Sequence, residues 1–195
     1  GLQQLPEHPE LRQIVVYCLL TTGKIDEALE ECPTLESHAA DATTLAYRGA
    51  AQAKLGRPAL ALKSFERAVR LAPEDARLRQ DLATALFEAG ENDRALAAFE
   101  ELEQMGAADA RTRFLHGCAL EKAGRLEEAE VQFELCRTQE ADESTWLELA
   151  DHRAGKDVEL GLELALEGAG HHPKSAGLWL HAAYLQLASG ETQGA

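Results

Sequence analysis

Aromatic residues make up only 5% of this 195-residue chain, and β-branched residues are scarce beside Ala, Leu, Glu and Arg. A core of packed sheets draws on those missing residue types, so the composition points to helices. No run of about 18 apolar residues occurs, which excludes a membrane-spanning helix. Basic residues are also short, 19 against 34 acidic, giving a formal charge of -15 and a pI near 4.8. A field of that sign repels a nucleic-acid backbone, so DNA and RNA are poor partners. The acidic residues are spread along the expected helices rather than massed in a tail. They read as a solvated outer face, with a basic partner as the alternative.

The four cysteines, Cys18, Cys32, Cys118 and Cys136, form no C-x-x-C pair and no Cys/His spacing of a zinc site. Scattered in this way they read as reduced, small core residues. The alternative is a single disulfide, with Cys18 and Cys32 across one hairpin as the leading pair. Met105 is the only methionine, so Gly1 is expected to be a processing or cloning scar behind which the natural protein begins earlier. Without a visible signal peptide the cytoplasm is the favoured compartment. An excess of Arg over Lys and the lone Asn92 point to a GC-rich bacterial genome.

Catalytic signatures are missing as well. No G-x-G-x-x-G, P-loop, G-x-S-x-G or H-E-x-x-H pattern appears. Glu127, Glu128 and Glu130 lie close in sequence but in a phase that faces solvent. His171 and His172 precede Pro173 in an expected loop, with His181 on the next helix, and no further ligand is placed to complete a metal site. His116 and His152 read as packing residues. Neither enzymatic activity, nor a metal, nor a cofactor is expected.

What the chain does have is a period. Gly56, Ala61 and Phe65 recur as Gly90, Ala95 and Phe99, and again as Gly124, Ala129 and Phe133, at intervals of 34 residues. Asp41, Asp75 and Asp109 keep the same interval, each ahead of an apolar-periodic segment, and Asp142 and Ser175 continue the series slightly early. Those positions suit helix N-caps, where a side-chain oxygen accepts from free first-turn amides. The glycines suit the left-handed residue that ends a helix. Each period therefore reads as two antiparallel helices of about 13 residues, a hairpin that buries its apolar face only against a neighbouring hairpin. Gly49, Ala61, Ala68, Gly117 and Ala129 would let backbones approach, and the Phe residues would seal one hairpin against the next.

These units resemble tetratricopeptide repeats, whose 34-residue pattern is W-x2-L-G-x2-Y, then A-x3-F, then P. Residues 42–75 supply Leu45, Gly49, Ala61, Phe65, Ala68 and Pro73; residues 76–109 supply Leu82, Ala83, Leu86, Ala95 and Phe99; residues 110–143 supply Gly117, Leu120, Ala129 and Phe133. Weaker units cover 9–41 and 143–175, and a partial one 176–195. In the first, Cys32 replaces Phe and Pro33 is expected to break or kink the second helix. In the fifth, Gly161, Ala165 and Gly168 replace bulkier residues and the turn near Gly155 is one residue short. Arg79, Arg113, Arg48 and Gln52 stand where apolar residues are usual, so looser anchoring is expected there. The resemblance implies one all-α solenoid over residues 1–195, a right-handed α-α superhelix of about five and a half hairpins that stops in mid-repeat, as an excised fragment would.

The resemblance also implies where a partner binds. First helices of such units line a concave groove through their second, fifth, ninth and twelfth-to-thirteenth places. Those places hold Tyr17; Ala46, Ala50 and Ala53; Arg77, Gln80, Thr84 and Phe87; Arg111, Phe114, Cys118 and Lys122; Leu147 and Asp151; Leu180 and Tyr184. Phe87 and Phe114 break the period of the other Phe residues. They are either packing residues against the next first helix or aromatic anchors for a peptide. Arg77 and Arg111 could pair with a partner carboxylate. Ala50 and Thr84 stand where carboxylate-clamp members of the family carry Asn, which disfavours a chaperone co-factor role. The leading expectation is non-catalytic binding of a protein or peptide in the groove. The alternatives are the repeat arm of a larger sulfotransferase- or glycosyltransferase-like enzyme, and a module that self-associates through its terminal repeats.

Overall fold

The computed structural model of the chain describes residues 9–38 and 41–192. Among these residues the fold is all-α, with helices α1 (Pro9–Thr21), α2 (Ile25–His38), α3 (Ala42–Lys54), α4 (Pro58–Leu71), α5 (Ala76–Glu88), α6 (Asn92–Gln104), α7 (Ala110–Lys122), α8 (Leu126–Thr138), α9 (Glu143–Ala154), α10 (Val158–His171) and α11 (Ala176–Thr192). They form two compact units, one running to Ala107 and one beginning at Ala108. In the first, α1 pairs with α2, α3 with α4 and α5 with α6; in the second, α7 pairs with α8 and α9 with α10, and α11 packs on both α9 and α10.

The helix starts follow from the spaced Asp and Ser residues. Asp41 accepts from the Thr44 amide at 2.7 Å, Asp75 from Arg77 at 3.0 Å, Asp109 from Thr112 at 2.8 Å and Asp142 from Thr145 at 2.8 Å. Ser175 Oγ accepts from Leu178 at 3.0 Å. Each such cap stabilises its helix by roughly 0.5–2 kcal/mol relative to Ala. The hydrogen bond with Thr145, reinforced by Ser144 and Arg111, holds the Asp142 carboxyl below its ordinary range. Asp157 caps α10 in the same manner, accepting from Glu159 at 2.9 Å, although it lies outside the 34-residue series.

The turn chemistry is equally direct. Gly56 has φ +67°, its own amide reaches Ala53 O at 2.9 Å, and the following Arg57 amide reaches Gln52 O at 2.9 Å. This double closure is the Schellman motif, and its left-handed residue carries no Cβ to clash. Gly90 and Gly124 repeat it. The fifth unit differs as its spacing foretells: α9 has 12 residues rather than 13 and closes at Gly155 with φ -62°.

Packing explains the small residues. A Cβ on Gly49 would lie 2.8 Å from the Phe65 ring, and one on Gly117 would lie 2.6 Å from the Phe133 ring. In these two hairpins the Gly and the Phe are thus one contact, the ring occupying the space that a side chain would need. Phe99, Leu102, Trp146, Leu149 and Leu178 are fully buried. Each buried side chain of this size stabilises by about 1.5–3 kcal/mol relative to exposure.

Two expectations change, on Pro33 and on the polar replacements. Helix α2 does not end at Pro33 but continues to His38. The polar replacements are paired rather than loose: Arg79 donates to Pro73 O at 2.7 Å and to Glu101 at 2.8 Å, Gln52 accepts from Ser64 Oγ at 2.7 Å, and Arg113 donates to Gln132 at 3.1 Å. Hydrogen bonds inside these hairpins do what apolar contact does elsewhere. In the fifth unit the glycines are a tighter fit, because a Cβ on Gly161 would lie 2.4 Å from Ala154 Cβ and one on Gly168 would lie 2.9 Å from Trp146. Helices α9 and α10 therefore approach more closely than bulkier residues would permit.

Candidate functional site

In the first unit the first helices of the hairpins are α1, α3 and α5, and α3 lies beside each of the other two. Tyr17 on α1 is half exposed, with its ring centroid 6.3 Å from that of Tyr47 on α3. Ala46, Ala50 and Ala53 on α3 are partly buried, so that helix offers small side chains between two more substantial neighbours. On α5, Arg77 is exposed, Thr84 and Phe87 are partly buried, and Gln80 donates its amide to Ala107 O at 2.8 Å. Asp81, on the same helix, is not among the residues picked out by the sequence pattern. Burial pushes its carboxyl up from 3.8 to about 6, against the pull of Arg77 and with a smaller push from Asp75. No hydrogen-bond donor among the described residues reaches it.

The second unit places its residues differently. Arg111 on α7 donates to Glu148 on α9 at 2.8 Å, so its guanidinium has an internal carboxylate. Phe114 is only 6% exposed. Its ring lies 6.2 Å from that of Phe133 and meets the His152 ring edge-on at 5.9 Å, which puts it among the side chains packed between α7, α8 and α9. Cys118 is buried, and burial, reinforced by Glu121, pushes its thiol up to about 12. Such a thiol is a packing group and not a nucleophile at neutral pH. Lys122 and Asp151 are exposed, and Leu147 is partly buried. Leu180 and Tyr184 on α11 are largely exposed, beside Trp179 and Leu187 on the same helix.

A charged cluster closes this unit at the C-terminal end of α7. Glu121 accepts from His152 at 2.7 Å and from Lys156, with Arg153 at 3.9 Å. Burial alone would raise the Glu121 carboxyl, but its bonds with Lys156 and His152 together hold it below the ordinary value. Arg153 also makes a two-pronged bond to Glu130 at 2.7 Å and stands 5.1 Å over the Phe133 ring. These contacts join α7, α8 and α9 by charge-assisted bonds.

The loop histidines have structural partners. His171 stacks on Trp146 with centroids 5.5 Å apart, and His172 donates to Ala141 O at 2.9 Å. Both border a cleft of about 370 Å³ shared with Gln139, Glu140 and Asp142. Among the described residues no group of three or more His, Cys, Asp or Glu side chains is set to hold a metal ion. Glu127, Glu128 and Glu130 are exposed. All four cysteines are free thiols, Cys18 exposed and the others buried. No helix among the described residues is long and apolar enough to cross a membrane.

Comparison with known proteins places this arrangement. A family profile described as tetratricopeptide repeat matches residues 20–152. No curated protein matches the sequence. Among solved structures, TTC0263, a thermophilic TPR protein of Thermus thermophilus, is 19% identical, with 92% of this chain and 100% of that one aligned and a TM-score of 0.76. YrrB, described as a TPR protein with an unusual peptide-binding site, is 21% identical over 93% of this chain and 95% of its own, with a TM-score of 0.61. The Cut9–Hcn1 hetero-tetramer of APC/C contains a chain 16% identical over 96% of this one and 38% of its own, with a TM-score of 0.74. At these identities the likeness is one of fold.

Proposed function

The chain belongs to the tetratricopeptide repeat family, and from that premise we propose that it is a non-catalytic binding module that receives an extended peptide segment on the first-helix face of its hairpins. The observation that carries this reading is the row on α1, α3 and α5: Tyr17, Ala46, Ala50, Arg77, Thr84 and Phe87 are all exposed or only partly buried. A half-exposed aromatic, a floor of small residues and a polar wall offer apolar contact, close backbone approach and hydrogen bonds to one ligand. YrrB, with its described peptide-binding site, supports the reading by analogy. In the second unit the same face offers Arg111, Lys122 and Leu147, with Phe114 and Cys118 serving as its packed floor. The cytoplasm is the compartment this reading favours, in keeping with four free thiols.

The test is selection of binding peptides from a random displayed library on the full chain, followed by fluorescence anisotropy on the enriched sequences. Tyr17→Ala and Phe87→Ala should each weaken binding about tenfold or more, as aromatic contacts do. Lys63→Ala, on the exposed side of a second helix, should leave it unchanged. Helicity measured on every variant separates lost contact from lost fold. Failure to enrich any peptide, or equal affinity across the three variants, would sink the assignment.

A further inference from the structure

Comparing the two units position by position exposes a missing partner. Counting from the N-caps, Glu148 is the sixth residue after Asp142, and Arg111 is the second residue after Asp109. These two join neighbouring first helices by an ion pair at 2.8 Å. The corresponding places in the first unit are Asp81, sixth after Asp75, and Thr43, second after Asp41. The carboxylate is retained there, while the guanidinium is replaced by an exposed, neutral Thr.

Asp81 lies on the side of α5 that faces α3. Leu78, one turn earlier on α5, packs against Leu45 of α3 and Ala68 of α4. Helical neighbours at that spacing share a face. On α3 the place of Arg111 is held by Thr43, and Ala46 and Ala50 follow it on the same helix face by their spacing; none of the three can donate a charge-assisted bond or fill much space. Burial has raised the Asp81 carboxyl, and nearby Arg77 does not make up for the lost water. The group remains partly open to solvent, so a ligand can reach it.

We infer that Asp81 is the specificity-determining residue of the peptide-binding face, and that it takes an arginine or lysine side chain of the partner, which occupies over Thr43 the place that Arg111 occupies opposite Glu148. Charge complementarity selects a basic segment, since the chain as a whole carries -15. A carboxylate already stripped of part of its hydration loses less on binding than a fully solvated one, so the pair is favourable here where an ordinary surface pair contributes little. Arg77, one turn before Asp81, can meet an acidic or carbonyl group next to the basic side chain.

This inference rests on the peptide-binding reading, and one experiment tests both separately. The peptides enriched on the full chain are sequenced and remade with citrulline in place of Arg or norleucine in place of Lys. Anisotropy is then measured against wild type, Asp81→Asn, Thr43→Arg and Thr43→Gln. Enriched peptides should carry a basic residue at one shared position, and its neutral replacement should weaken binding about ten- to a hundredfold, the range of one charge-assisted bond. Asp81→Asn should give the same loss. Thr43→Arg, which removes nothing and restores the internal pair, should also abolish the basic preference, whereas Thr43→Gln, of similar reach but neutral, should keep it. Enriched peptides without a basic residue, or binding indifferent to Asp81→Asn or Thr43→Arg, would overturn the inference and leave the face intact as a binding site. No enrichment at all would remove both.

Discussion

Replacing Asp81 by Asn should make the protein more stable at neutral pH, against the usual direction for a half-buried residue. The carboxyl titrates near 3.8 in an unstructured chain and near 6 when folded, with burial as the chief cause. The folded state therefore holds its proton more tightly than the unfolded state. Below about pH 3.8 both states are protonated and no penalty exists. Between there and about pH 6 the unfolded state loses its proton first, and wild-type stability falls as the pH rises; above that window the full penalty persists. A rise of about 2 in pKa corresponds to about 3 kcal/mol. Because the group keeps some contact with water, the realised figure should be about 1–2 kcal/mol. Urea unfolding followed by circular dichroism at about pH 7.5 and about pH 3.5 gives the comparison. Both tryptophans, Trp146 and Trp179, lie in the second unit, so a transition absent from tryptophan fluorescence belongs to the first unit, where Asp81 resides. The variant should be the more stable at the higher pH, with the gap closing at the lower. An equal midpoint at about pH 7.5, or a gap independent of pH, would refute the account of Asp81 as an uncompensated carboxylate.

Two further outcomes follow from packing and burial. Gly161→Ala should destabilise the second unit by about 1–3 kcal/mol, because its new Cβ would lie 2.4 Å from Ala154 Cβ and 2.7 Å from Ala154 Cα, and a backbone cannot rotate away; the tryptophan-monitored urea midpoint reads the loss. At neutral pH a thiol reagent should label Cys18 promptly and spare Cys118 and Cys136, whose thiols are pushed up to about 12, until the chain unfolds; mass spectrometry of partly labelled protein identifies the sites.

The helical hairpins were legible in the sequence because their signals are local and repeated. An Asp cap depends on its own backbone and the next three amides, and a Gly turn on one residue's φ, so spacing alone locates both. The Gly49–Phe65 and Gly117–Phe133 contacts were legible only in part: Gly49 and Gly117 were expected where helices meet, but Phe65 and Phe133 were expected to seal one hairpin against the next, and their rings lie against the glycine of their own hairpin. Pairing through long polar side chains was less accessible, within a hairpin or between hairpins. The bonds of Arg79 with Glu101 and of Arg153 with Glu130 join helices through long side chains whose ends are not set by phase. Polar residues in apolar places therefore looked like weak points when they are cross-links. The tight fit of Gly161 and Gly168 was hidden similarly, because a missing side chain declares nothing about what lies opposite.

The binding face divides along the same line. Phase brings Phe87, at the twelfth place, and Phe114, at the fifth, to the same expected face, yet one is partly buried and the other packs between Phe133 and His152. Which of the two stays open depends on residues from other helices, and Phe114 is covered because His152 is an aromatic-sized neighbour. Asp81 is the sharper case. One more acidic residue in a chain with 34 of them carries no signal, and Glu148 is no more conspicuous. The difference emerges only when each is matched with the residue two places after the preceding first-helix cap: Arg111 in one unit and Thr43 in the other. A repeat protein supplies its own internal control, since a structural interaction present in one copy shows what the other copy lacks. Where the lacking copy keeps its carboxylate half-buried and reachable, the vacancy is better explained by a partner's cation than by neglect, because a neutral residue at Asp81 would be the more stable choice for the fold alone.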